Sequence, residues 1–432
     1  MNDFICKYSF IAGIIMAGTV ACVGCRGSSE SRGNASPATT RVDPPAGPGS
    51  QAPNLFVSKN DALLTWIEPD QGKKSIRLAR FSQGHWSDAS TVVASENLLV
   101  NFADVPAAAE AGDRIFVAFP EYPKGGHEYH TEFAISTDGG KSFSRRGALH
   151  GDTSDTEHGF AAFAPESANS VRAFWLDQRA AAQTLPNSQG PAPAMRLYTA
   201  VVGEKVTNEV LLDERTCDCC NLGAGRTDQG PIVAYRDRRD DEVRDISIVR
   251  AEGQGFSKPM TVHDDGYRIV GCPVNGPALV ADSSRVAIAW YTYASEQARV
   301  KLAFSSDAAM HFSDALTIAD ANGAMAPLGR VTLAWGDQGD VLIGYLEAER
   351  EKARLVVRRV HPDGAFFAPL VVAETRPERK SGFPKMVRLD DRLLVVWTEA
   401  ETPSHLRAML VPLASVPRET PALAPEAPFR SR

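Results

Sequence analysis

Four cysteines in the middle of the chain sit close enough in sequence for sulfur chemistry: Cys217, Cys219 and Cys220, followed by Cys272 in Gly271-Cys272-Pro273. Cys217 lies 18 residues before Tyr235, and Cys272 lies 18 residues before Trp290. The two clusters therefore occupy equivalent places in neighbouring repeats, and all four thiols should meet. In an exported chain this favours two disulfides among three possible connectivities. A soft-metal or redox site is the alternative, with His263 and His158 at nearby or matching positions, although Cys-x-Cys-Cys has no usual zinc spacing. A second group is cationic. Tyr235-Arg236-Asp237-Arg238-Arg239 follows one strand, Arg179 follows Asp177, and Arg330 precedes another strand. A guanidinium fork matches a carboxylate bidentately, so Arg179, Arg236, Arg238 and Arg330 are candidate ligand-binding residues. Their alternative is a charged rim whose ions pair with one another. Asp177, Tyr235 and Asp237 are candidate catalytic residues, with Tyr267 and Tyr291 as other phenols in reach. His127 and His130 flank Glu128 in a polar loop and are expected to face solvent. Neither a metal nor any other cofactor is expected.

What positions these groups is a repeat. Seven apolar runs end in a ring, at Trp66, Phe119, Trp175, Tyr235, Trp290, Tyr345 and Trp397, spaced 52 to 60 residues apart. Six of the seven carry a carboxylate two residues on: Glu68, Glu121, Asp177, Asp237, Glu347 and Glu399, with Thr292 the exception. A recurring acid just past a strand end can accept backbone N–H bonds of the next turn, so most are expected to be structural. Each ring closes a β-branched run such as Val286-Ala287-Ile288-Ala289-Trp290. Another short run precedes it and two follow. Four antiparallel strands per repeat make a β-propeller blade. The chain is thus expected to be all-β, with seven blades by repeat count and six as the alternative. The last repeat shows only three clear strands.

Ser136-Thr137-Asp138-Gly139-Gly140-Lys141-Ser142-Phe143 fits the pattern S-x-D-x-G-x-x-[WF]. Ser305-Ser306-Asp307-Ala308-Ala309-Met310-His311-Phe312 keeps its Ser, Asp and Phe but has Ala309 for the glycine. These stretches resemble the Asp boxes, or BNR repeats, of sialidase-like propellers, with Ser136, Asp138, Gly140, Phe143, Ser305, Asp307 and Phe312 as the structural positions. The resemblance covers about residues 54 to 412. It implies a sialidase-like scaffold, because Asp boxes lie at the blade periphery, away from the central site. Family sialidases clamp a substrate carboxylate with three arginines, the first in a short R-I-P motif in the first blade. No arginine occurs between Asn54 and Glu68. The resemblance therefore implies first a glycan- or protein-binding module. An exo-α-sialidase-type hydrolase is the alternative, and a metal or redox protein at the cysteines the third reading.

The N-terminus reads as an export signal over residues 1–25: Lys7, an apolar stretch from Phe10 to Val23, then Cys22-Val23-Gly24-Cys25-Arg26. This resembles a bacterial lipobox with Cys25 as the lipidated residue and Cys22 as the competing site, and implies an envelope protein anchored on the extracytoplasmic side. Residues 26–52 read as a disordered Ser/Gly/Pro/Ala tether reaching roughly 30 Å. The propeller is expected over 53–413 and a Pro-rich disordered tail over 414–432. A net charge of −7 without a basic run excludes nucleic acid as the expected partner.

Overall fold

A computed structural model describes residues 38–58, 60–180, 194–322 and 325–418. The signal segment and Cys25 lie outside the described residues.

The described chain forms seven antiparallel sheets, each of four main strands, two of them with a two-residue extra strand. Seven blades are therefore present rather than six. The innermost strands are Gln51–Ser58, Ala107–Ala111, His158–Ser167, Gly223–Thr227, Ala278–Asp282, Ala326–Trp335 and Lys385–Leu389, in blades 1 to 7. Among the described residues the only helices are short 3-10 turns, and none is long and apolar enough to cross a membrane.

The seven rings all fall on the second strands of their blades. Each packs into a different hydrophobic cluster between its own blade and the preceding one. Trp66 packs against blade 7, Phe119 against blade 1, Trp175 against blade 2 and so on to Trp397 against blade 6. Tyr235, Trp290 and Tyr345 fill the three remaining seams. One large buried ring per seam excludes water from the whole interface, which explains the period better than any shared chemistry.

The fourth strand missing from the last repeat comes from the other end of the chain. Thr40–Arg41 pairs with Leu410 and Met409 on the outer edge of His405–Pro412. Asp43 then accepts the Ala408 amide at 3.0 Å and faces Arg407. Ser50 is fully buried and its hydroxyl accepts the Leu406 amide. Residues 38–52 of the expected tether are thus built into the propeller, and the part before them lies outside the described residues. Composition misleads here because two residues of edge pairing and one carboxylate suffice to hold a Pro/Gly-rich strap. At the other end Leu413–Ser415 forms a 3-10 turn with Val416 fully buried, so order also runs past the expected boundary at 413.

The two Ser-x-Asp turns fold alike. In the first, Asp138 accepts the Lys141 and Ser142 amides, both at 3.0 Å, and the Ser136 hydroxyl accepts the Gly140 amide at 2.9 Å. The second repeats this with Asp307, Met310, His311 and Ser305. Ala308 and Ala309 hold φ of 57° and 63° where glycine would be unstrained. Phe143 and Phe312 pack onto the blade cores.

Candidate functional site

The four candidate arginines are each engaged by groups within the protein. Arg236 is 1% exposed and spends its donors on carbonyl oxygens. Asn275 accepts two bonds at 3.0 and 2.8 Å, Arg244 one at 2.6 Å and Tyr291 one at 2.7 Å. Arg238 is gripped by Glu242 and Asp218. Arg330 donates to the Glu378 and Gly382 carbonyls. Arg179 forms a fork with Asp177 at 2.8 and 2.6 Å, pairs with Glu209 at 2.6 Å and lies 4.1 Å over the Tyr198 ring. These guanidiniums are cross-braces between loops. A spacing pattern cannot reveal this, because an arginine that binds a ligand and one that binds a carbonyl look alike in sequence.

The candidate phenols are braces too. The buried Tyr235 hydroxyl bonds Asp213 rather than Asp237. Burial and the nearby Asp213 raise Asp237 to about 6, while Arg238 N–H donates to it at 2.7 Å. Tyr267 lies under Arg236 and, like Tyr291, is raised by burial, Tyr291 to about 12. The acid that follows a tryptophan has a second partner besides backbone amides. The Trp66 indole donates to Glu68 at 2.8 Å and the Trp175 indole to Asp177 at 2.9 Å. Where Thr292 breaks the pattern, Asp265 from a loop takes the Trp290 indole at 2.6 Å.

The four cysteines do meet, with a different outcome from two disulfides. Cys219 is bonded to Cys272, whereas Cys217 and Cys220 are buried thiols with sulfurs 3.6 Å apart. The Cys220 contact, with Arg244 3.2 Å from Cys217 and Arg236 nearby, brings the Cys217 thiol down to about 6 despite its burial. Burial pushes Cys220 up. Alkylation under denaturing, non-reducing conditions followed by peptide mapping should therefore label Cys217 and Cys220. It should leave Cys219 and Cys272 as a linked pair, and a fully unlabelled set would contradict this arrangement.

Chemistry that the sequence did not single out gathers instead at the mouth of blades 2 and 3. The seven inner strands enclose a central cavity of about 800 Å³, lined by Phe56, Phe160, Phe163 and Trp335 among mainly small residues. Asp104 and Lys385 stand at its mouth end, in blades 2 and 7. Lys385 makes no ion pair among the described residues, and burial brings its amine down to about 8. Asp104 is 2% exposed, and one of its oxygens has no hydrogen-bond partner. Burial pushes its carboxyl up to about 7. The Tyr129 hydroxyl donates to Glu157 at 2.5 Å. Gly159 makes room for this chain, since a Cβ there would stand 2.5 Å from Asp104 Oδ2 and 2.6 Å from the Tyr129 oxygen.

Beside Gly159 lies a cluster of three imidazoles. His150 and His158 stack at 3.7 Å, and each lies 4.8 Å from His130 in an edge arrangement. The expectation that His130 faces solvent fails, for its Nε2 is buried. Burial, with two imidazole neighbours, lowers His150 to about 3, and burial lowers His158 as well. Both are neutral bases near neutral pH. Three of the nine histidines fall on adjacent mouth-face loops, which was the signal available from sequence. It becomes informative only once the blade register is known.

The raised Asp104 carboxyl makes a prediction with a definite sign. An acid held above its unfolded value favours the fold only while protonated. Its contribution is full below about pH 4 and is lost as pH rises to about 7. Asp104→Asn should thus be more stable than the parent at pH 8 by about 2–4 kcal/mol, with the gap closing toward pH 4. Urea unfolding at both pH values measures it; a gap that does not change with pH would refute the assignment.

No family model matches this chain, and no similar curated protein is found. Solved structures do match it. One is an ulvan lyase, a polysaccharide lyase bound to -[GlcA(1-4)Rha3S]-, with TM-score 0.56 and 10% identity over 87% of this chain and 96% of that one. Another is the alpha-L-arabinanase of Penicillium chrysogenum complexed with arabinobiose, with TM-score 0.48 and 11% identity over 88% and 100%. A third is the acylaminoacyl peptidase of Pyrococcus horikoshii, with TM-score 0.47 and 12% identity over 83% of this chain and 50% of that one. At such identities the likeness to the ulvan lyase is one of fold, and the chain is established as a seven-bladed β-propeller.

Proposed function

We propose that this chain is a lipid-anchored, extracytoplasmic propeller of sialidase-like type that binds an acidic glycan at the channel mouth over blades 2, 3 and 7. The observation that carries the reading is the mouth itself. A cavity of about 800 Å³, lined mainly by small residues, has the half-buried amine of Lys385, without an ion-pair partner among the described residues, at one side and the protonatable Asp104 at the other. That volume suits a few sugar rings, and the amine suits a carboxylate or sulfate. The fold shared with a lyase whose structure holds a sulfated, uronate-containing glycan supports the same class.

Calorimetric titration with uronate-containing oligosaccharides tests it. Lys385→Met should weaken binding roughly tenfold or more through loss of one charge-assisted bond, and should leave neutral oligosaccharides unaffected. No binding by the parent, or equal binding by the variant, would remove the reading. A second reading, glycan cleavage, is favoured by Asp104, whose carboxyl at about 7 can donate a proton near neutral pH. New reducing ends signal cleavage, and accompanying ultraviolet absorbance of an unsaturated uronate marks elimination rather than hydrolysis. For the anchor, fatty-acid labelling that disappears in Cys22→Ala, Cys25→Ala supports lipidation; absence of label on the parent refutes it.

A further inference from the structure

Three imidazoles meet at the seam of blades 2 and 3. His130 opens the strand His130–Ser136 of blade 2, His150 stands in the loop between the blades, and His158 opens the innermost strand of blade 3. One ligating nitrogen from each lies within 4.8 Å of the other two. Three imidazole nitrogens, one on each ring, are buried without a hydrogen-bond partner: His130 Nε2, His150 Nε2 and His158 Nδ1. Three such atoms in one place are unusual, because a buried polar atom without a partner costs about 1–3 kcal/mol.

We propose that His130, His150 and His158 bind one divalent transition-metal ion of the zinc class, with a fourth position left for water or a ligand. The surroundings have the form such a site needs. His150 Nδ1 lies 3.1 Å from the Asp152 carbonyl, which fixes the proton on Nδ1 and leaves the Nε2 lone pair free. His158 Nε2 lies 3.2 Å from an Asp152 carboxylate oxygen and 3.5 Å from one of Asp177. Those carboxylates are held in turn: Asp152 by Ser154, Asp177 by the Trp175 indole and the Arg179 fork. Imidazole-carboxylate pairing of this kind orients a ligand ring and strengthens it as a donor. Three imidazoles with carboxylates one layer out suit zinc, or copper, nickel and ferrous iron. They do not suit calcium or magnesium, which need oxygen ligands. The stacked rings of His150 and His158 are within 7° of parallel, so they must tilt apart for both in-plane lone pairs to point at one ion about 2.0–2.1 Å away. Asp152 is the group placed to move with them.

This ion site is separate from the glycan reading and can be tested without a glycan. The full-length chain, carried by a tag free of histidine, is stripped with chelator and titrated with zinc chloride by calorimetry. One equivalent should bind with micromolar or tighter affinity. His130→Gln and His150→Ala should each weaken it at least about 100-fold while circular dichroism shows the fold intact. The double variant Cys217→Ser, Cys220→Ser should retain the site, which separates it from the thiols. Cobalt substituted for zinc should give visible bands without thiolate charge transfer. Failure of the parent to bind zinc in the millimolar range would overturn the proposal. So would affinity unchanged in both histidine variants, or affinity lost only with the cysteines.

Discussion

Arg236→Met is expected to lower the urea midpoint by roughly 1 M, a loss of about 4 kcal/mol. The side chain is 1% exposed and ties two loops and a strand together through carbonyls of Arg244, Asn275 and Tyr291. Methionine keeps much of the volume, so the loss is one of bonding rather than packing. Three buried carbonyls lose their donor, each at a cost of about 1–3 kcal/mol unless water replaces it. The nearby thiols lose a cation that favours their ionised form, so the Cys217 pKa should rise in the same variant. The opposite outcome is informative: an unchanged midpoint with lost ligand affinity would restore Arg236 as a binding residue. Equilibrium unfolding and oligosaccharide titration on one preparation decide between them.

Removal of residues 38–46 should be as damaging by another route. The deletion strips the outer strand from blade 7 and leaves the edge of His405–Pro412 unpaired. It also removes the Asp43 carboxylate from the Ala408 amide and Arg407, and the Val42 carbonyl from the Trp86 indole. Propeller blades keep only short, protected edges, and loss of this strap lengthens the exposed edge of blade 7 into a β-template for other copies. Loss of several kilocalories of stability and concentration-dependent oligomers are expected, by unfolding and by light scattering. Asp43→Ala, which keeps the strand, should cost about 1–3 kcal/mol and remain monomeric in the same assay. A truncated chain as stable and monodisperse as the parent would show that closure does not depend on this strand.

The scaffold was legible in sequence because a propeller writes its packing periodically. Each blade must place one large ring in one seam, so Trp66, Phe119 and their five counterparts return at a nearly constant interval, and the count of seven holds. The Ser-x-Asp turns were legible because the bonds of Asp138 and Asp307 run to amides three and four residues away. The meeting of the four cysteines followed from register alone. Their pairing did not, since it depends on which sulfur faces which across two loops.

Composition was a poor guide at the chain ends. Residues 40–50 look like linker and yet close the ring, because an edge strand needs backbone groups far more than it needs apolar side chains. The arginines show the complementary limit. The motif around Arg236 has the residue types of a carboxylate clamp, but whether a guanidinium meets a ligand or a carbonyl depends on what the neighbouring blade presents, here the carbonyls of Asn275 and Tyr291.

The sequence by itself thus determined the architecture: strand type, blade number, the ring in each seam and the face on which the decorated loops open. These follow from local periodicity and short-range hydrogen bonding. Only the tertiary structure decided where the chemistry is. Asp104, Tyr129 and Glu157, like His130, His150 and His158, come from separate loops of two blades. They acquire their properties, a carboxyl that titrates near neutrality and three imidazoles gathered at one seam, from burial against one another. Desolvation and convergence arise from three-dimensional neighbours, and a one-dimensional spacing carries neither.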